Sequence, residues 1–270
     1  MPADDTGPAD DTGPASDTRP ASDTGPAGDE PDLAGLFAPV DIADAIEGVL
    51  DEARAALGHL DDPVDAELWG SDVIGAMSSA GEPAALAAIT TTLVPAAERD
   101  LSPQALAMLR IFAAIGSAGL REAAGAAAER IAARDVPDAP WAAQIGSPAV
   151  RGCWHYADVG GRQESLTLTF AYGEKEHAIC VLIDHGRGGK IKDVWVAKGT
   201  NNLLQSTALA AGSDPLVEFE ILDAAQARSR LMRAMAAGDC PELPDQADDI
   251  TAHRALLRAR LEQLGGPVTP

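Results

Sequence analysis

The hydrophobic period of this chain changes midway, and that change limits its fold more than any other feature. From Leu33 to about Asp135 apolar residues recur at spacings of three and four, whereas from Gly152 to about Ala197 they alternate. The first period belongs to helices and the second to half-buried strands, so no single repeating element accounts for both halves. Between them, Val136 to Pro148 (VPDAPWAAQIGSP) carries three prolines and a glycine. The sequence therefore predicts an α+β chain, with a helical bundle over 33–138 and an α+β domain with an antiparallel sheet over 149–270.

In the first half, Ile42, Ile46, Val49, Ala53, Leu57 and Leu60 form one stripe, with Asp41 placed to cap the helix and Asp44 in its first turn. Ser102–Pro103 is a second start signal, a capping hydroxyl followed by proline where the missing N–H costs nothing. Pro63 to Ala80 and Pro83 to Asp100 read as helices, with Gly70 and Pro95 marking breaks or kinks. An alanine-rich fifth helix follows from about Arg121 to Arg134.

In the second half, four strands are expected at Gly152–Val159, Glu164–Tyr172, Glu176–Asp184 and Ile191–Ala197. Leu166, Leu168, Phe170 and Tyr172 alternate with Thr167, Thr169 and Ala171, the pattern of a strand buried on one side. Ala178 to Ile183 is apolar on both faces and is expected to be central. A short helix near 202–210, a strand near 216–221 and two helices, Asp223–Ala237 and Asp249–Leu264, complete the chain.

Ahead of all this, Pro2, Pro8, Pro14, Pro20 and Pro26 recur every six residues in an acidic array. Residues 1–32 hold nine acids against Arg19 and no Leu, Ile, Val or aromatic side chain, so the expectation is a disordered acidic spacer.

Net charge is −22, which argues against non-specific attraction to nucleic acid or anionic membrane. The longest apolar stretch, Ala105 to Leu120, contains Arg110 and is too short to span a bilayer. No secretory signal is visible. The three scattered cysteines, Cys153, Cys180 and Cys240, fit reduced thiols of a cytoplasmic protein. Alanine richness with four lysines against sixteen arginines is the composition of a high-GC bacterial genome.

Charge is unevenly spread. Residues 150–198 carry +1, against −8, −11 and −4 for residues 1–32, 33–149 and 199–270. Lys175, Lys190, Lys192 and Lys198 all fall in that window, which could meet an anionic partner or the acidic tail, or simply guard an edge strand. Inside it, Gly186-Arg187-Gly188-Gly189-Lys190 resembles a phosphate loop only in part, because Ile191 replaces the hydroxyl residue and a strand follows. Its glycine N–H groups could form an anion nest, with Arg187, Lys190 and Lys192 adding charge. Asp184–His185 ends the apolar strand, where a carboxylate could orient an imidazole.

Metal ligands do not assemble from spacing. Cys153 and His155 share a strand face, His177 and Cys180 do not, and no four-ligand set results. No cofactor is indicated. The leading expectation is a non-enzymatic protein-interaction or regulatory module. The alternatives are an enzyme with a site around Asp184, His185 and the 186–190 loop, and a nucleic-acid binder using the lysine window and the C-terminal arginines.

Overall fold

The computed structural model describes residues 42–78, 87–200 and 202–265; the acidic repeat and the cap expected at Asp41 lie outside them. Helix α1 (Ile42–Ala56) buries Ile46 and Ala53. Helix α2 (Pro63–Ser78) runs through Gly70 without the expected break. A Cβ at Gly70 would stand 2.1 Å from Ile111 Cγ2, so this glycine permits the close approach of α2 to α4 (Pro103–Ile115). At Pro95 the helix is re-wound. A π-helical turn, Ile89–Leu93, leads into α3 (Val94–Asp100). A proline ring clashes with the carbonyl four residues back, here that of Thr91, which lies within the wider turn.

Helix α4 begins as the sequence implies: the Ser102 hydroxyl accepts the Ala105 N–H at 3.1 Å and Pro103 takes the first position. It packs on α5 (Ala118–Ala132), burying Leu106, Leu109, Phe112, Leu120 and Ile131.

The sheet has the order β4-β3-β2-β1-β5, antiparallel throughout. Strands β1 (Ala149–Asp158), β2 (Gln163–Tyr172), β3 (Lys175–Asp184) and β4 (Lys190–Lys198) form a meander. Helix α6 (Leu203–Ser213) then carries the chain from the β4 edge to the opposite edge, where β5 (Val217–Leu222) pairs with β1. The middle strand is β2, not the more apolar β3. Moreover, β2 is buried on both faces, including Thr167, Thr169 and Ala171. Two features override the polar alternation: a helix on one side, and on the other the neighbouring side chains of the row Trp154–Thr167–Cys180–Trp195. Helix α7 (Ala224–Ala237) starts with a reciprocal cap between Asp223 and Gln226. Helix α8 begins at Pro244, five residues before the expected Asp249, because Gln246 Oε1 turns back to accept the Glu242 N–H at 2.8 Å.

The irregular stretch 136–148 is pinned at both ends. The buried Trp141 indole donates to Leu60 O at 2.9 Å, and Gly146 N–H donates to Glu67 Oε1 at 3.1 Å and to Tyr172 Oη at 2.9 Å. Bundle and sheet share one buried cluster inside a single compact unit, 41–270.

At its centre α2, the sheet and α8 (Pro244–Gln263) meet on charge. Glu67 and Arg260 are fully buried and form an ion pair. Tyr172 Oη donates to Glu67 Oε1 at 2.7 Å, Arg260 donates to His177 Nε2 at 3.2 Å, and the guanidinium lies over Phe170 and Tyr172. Close backbone contact supports this junction. Ser71 Oγ donates to Ala252 O at 2.5 Å and accepts the Leu256 N–H at 3.1 Å, inserting itself into a rung of α8. A Cβ at Gly75 would meet Thr251 O at 2.4 Å.

Removing one member of a buried ion pair strands the other. Glu67→Ala is expected to cost about 3–5 kcal/mol in urea denaturation. His177 gives a second test. Burial, reinforced by the Arg260 charge, depresses its pKa to about 3 from the ordinary 6.5. The unfolded chain thus takes up a proton below pH 6.5 that the native state refuses until about pH 3, and stability falls as pH drops through that window. His177→Gln, which keeps an acceptor, should flatten the dependence by up to about 1.4 kcal/mol per pH unit.

Candidate functional site

Strand β2 carries its apolar stripe on the face toward the helices, and the next position in that stripe upstream of Leu166 is Glu164. An acid in register with a buried stripe needs partners, and three elements supply them. His155 of β1 places Nδ1 3.4 Å from Glu164 Oε2. Arg230 of α7 donates to Glu164 Oε2 at 3.0 Å and lies 3.1 Å from His155 Nδ1. His185, from the turn after β3, places Nε2 3.2 Å from Glu164 Oε1. Glu220, opposite His155 on β5, closes the ring at 3.1 Å from His155 Nε2 and 3.4 Å from Arg230. Glu164 and His155 are buried, while His185 is 43% exposed in its side chain.

The candidate pair Asp184–His185 is therefore divided. Residues His185–Arg187 form a single 3-10 turn, and Asp184 Oδ1 accepts the Arg187 N–H at 3.2 Å as its cap. His185 faces Glu164 on the neighbouring strand instead. Gly188 and Gly189 take positive φ (87° and 75°) to reverse the chain. The loop N–H groups are already used: His185 and Gly186 donate to Arg162 O, Gly188 to His185 O and Gly189 to Asp184 O. The expected anion nest of Gly188 and Gly189 is thus spent on the turn itself.

Most of the basic window is also engaged within the protein. Arg187 and Lys192 share Glu242 at 3.1 and 2.9 Å, Lys198 pairs with Asp65, and Lys175 donates to Asp61 O at 3.2 Å. The Lys192 ammonium holds the Glu242 carboxyl below its ordinary range. Lys190 opens β4 opposite Asp184. These bases tie the β4 edge to α2 and to the segment before α8.

Two cavities meet at Glu164 and His185, and their charges differ. One, of about 320 Å³, is lined by Glu164, Ile183, His185, the Gly188–Gly189 turn, Arg230 and Arg233. The other, of about 290 Å³, is lined by His155, Asp158, Glu164, His185 and Glu218. Asp158 keeps its negative charge readily, because the N–H groups of Arg162 and Gln163 bind its carboxylate at 3.1 and 2.8 Å and lower its pKa. Glu164 thus divides an arginine-lined pocket from an acidic one.

Among the described residues no group of three His, Cys, Asp or Glu is placed to hold a metal ion. Cys153 and His155 share a face as their spacing implies, but His155 turns to the carboxylates. Burial pushes the Cys153 thiol up to about 11, and raises Cys180 and Cys240 as well. Sequence reasoning passed over Glu164 and placed Arg230 only among the C-terminal arginines. The signal for Glu164 was present, as the one charge in register with Leu166, Leu168 and Phe170. Arg230 has no such signal, since its role depends on where α7 lies.

No family model, no curated protein and no solved structure matches this chain. Arg230→Ala would leave the buried Glu164 without its cation. The expected cost is about 2–3 kcal/mol, read as a lower midpoint in urea denaturation at neutral pH.

Proposed function

We propose that this chain is a protein-interaction module that receives an extended, basic segment of a partner along β5. The observation that carries the reading is an uncovered edge strand lying beside an acidic cavity. Among the described elements β5 pairs only with β1. By contrast, β4 is closed at its start by the 238–240 segment, which exchanges bonds of 2.9 and 2.7 Å with Ile191. An unpaired edge presents a row of N–H and C=O groups that an extended peptide can complete.

Side chains set which peptide fits. Glu218 and Glu220 point to one face, and Glu218 lines the acidic cavity with Asp158 and Glu164. Val217, Phe219 and Ile221 point to the other, where Ile221 is 65% exposed. A second β5 is a poor partner, since antiparallel self-pairing brings acids face to face. A segment that alternates lysine or arginine with apolar residues satisfies both faces, and one cation can reach the acidic cavity.

Nucleic acid is not the partner in this reading, because the strip is acidic and the basic window is largely paired internally. No helix among the described residues is long and apolar enough to cross a membrane, and Cys153, Cys180 and Cys240 are unbridged. A cytoplasmic setting suits those thiols.

The test uses a blocked peptide of alternating lysine and valine against the full chain by calorimetry. Saturable binding is expected, with amide shifts centred on 217–222. A peptide of equal charge, N-methylated on its pairing edge, should fail. Glu218→Lys should weaken binding by about threefold or more, the scale of one exposed charge pair. Equal binding of the two peptides would reduce the effect to bulk charge and end the proposal.

A further inference from the structure

We infer that the cavity between the glycine turn and α7 is a binding site for a phosphate group that keeps a proton. This site shares Glu164 and His185 with the acidic cavity beside β5 but opens on their other side, and it does not rest on the strand-edge reading. Its lining brings together Arg230 and Arg233, which with Glu164 leave a formal charge of +1 before His185 is counted. Arg230 is already committed to Glu164 and Glu220. Arg233 forms no ion pair among the described residues and lines the same space, so it is the cation available to a ligand oxyanion.

The opposite wall accepts protons. His185 has its Nε2 at Glu164, while its Nδ1 lies toward Gly189, where a Cβ would stand 3.8 Å away. That nitrogen has no partner among the described residues. With Nε2–H turned to the carboxylate, Nδ1 presents a lone pair to the cavity. A ligand must therefore offer negative oxygens to arginine and an O–H to imidazole.

Hydrogen phosphate carries both at neutral pH. Sulfate has the same shape and no proton, so its oxygens would face the His185 lone pair and the Glu164 carboxylate. Carboxylates likewise lack the O–H once ionised. Sites built around a ligand hydroxyl discriminate strongly against analogues without it, because their own polar groups are left unpaired. Backbone N–H groups play no part, since those of the turn are already used. The wall chemistry, rather than a phosphate loop, selects the ligand.

Calorimetry or amide-shift titration of the full chain, with inorganic phosphate and sulfate at matched ionic strength and neutral pH, tests this. Phosphate should bind at least about tenfold more tightly than sulfate, with shifts at Gly188, Gly189 and Arg233. Arg233→Ala, at an exposed position, should weaken phosphate by about fivefold or more. His185→Ala should bring phosphate down to the sulfate level, the signature of a lost acceptor rather than lost charge. Methyl phosphate, at neutral pH largely a dianion without an O–H, should bind near the sulfate level, and tighter binding of it than of the free ion would overturn the inference. Equal affinity for phosphate and sulfate in the unaltered chain would overturn the inference, as would no binding of phosphate at about 10 mM. Neither result would touch peptide binding at β5.

Discussion

The Glu67–Arg260 ion pair fixes how the layers of this protein meet. Two opposite charges without water must find each other and fill their remaining hydrogen-bonding positions, or the fold pays several kcal/mol. Glu67 does so with Arg260, Tyr172 and the Gly146 N–H, and Arg260 adds His177 and the faces of two aromatic rings. Each partner comes from a different element: α2, β2, β3, the irregular 136–148 stretch and α8. A purely apolar junction would tolerate sliding. This one has directional bonds in five places, and the Ser71 bridge to α8 fixes the depth of contact as well.

That junction accounts for the distribution of the remaining charges. Helix α8 packs against β4, and the bases along that edge are neutralised by Asp65 and Glu242 at either end. The sheet is thus closed on the β4 side by helices and ion pairs. On the β5 side the crossover helix α6 gives little cover, with only Ala211 buried along it. One edge of the sheet is built inward and the other outward.

Much of this was legible in the sequence. The change of period at 136–148 separates helices from strands, and the strand positions follow from alternation and glycine turns to within a few residues. Three features were not legible, for identifiable reasons. Gly70 reads as a helix breaker because nothing local reveals that Ile111 packs on it. Thr167 and Thr169 read as solvent-facing because their burial depends on the neighbouring strands, where Trp154 and Cys180 stand opposite Thr167 and Gly152 O accepts the Thr169 hydroxyl at 3.0 Å. Asp184 and His185 read as a pair because they are adjacent, yet the acid that meets His185 lies on a different strand, a cross-strand relation that sequence order does not encode. Polar residues in register with an apolar stripe, Glu164 and His177 above all, carried more information than neighbours in sequence.

Ser71 and Arg260 also bear on the order in which the chain can become stable during synthesis. The acid of the central pair is made 193 residues before its cation. Until α8 has left the ribosome, Glu67 has no Arg260 guanidinium to meet, and burying it alone is costly. A hydroxyl already standing on α2 then receives the incoming helix at Ala252 and Leu256. The strands can pair early, since each hairpin is local, but the central pair forms only once α8 docks. Burying Glu67 without Arg260 is the cost that any product stopping short of residue 260 would carry.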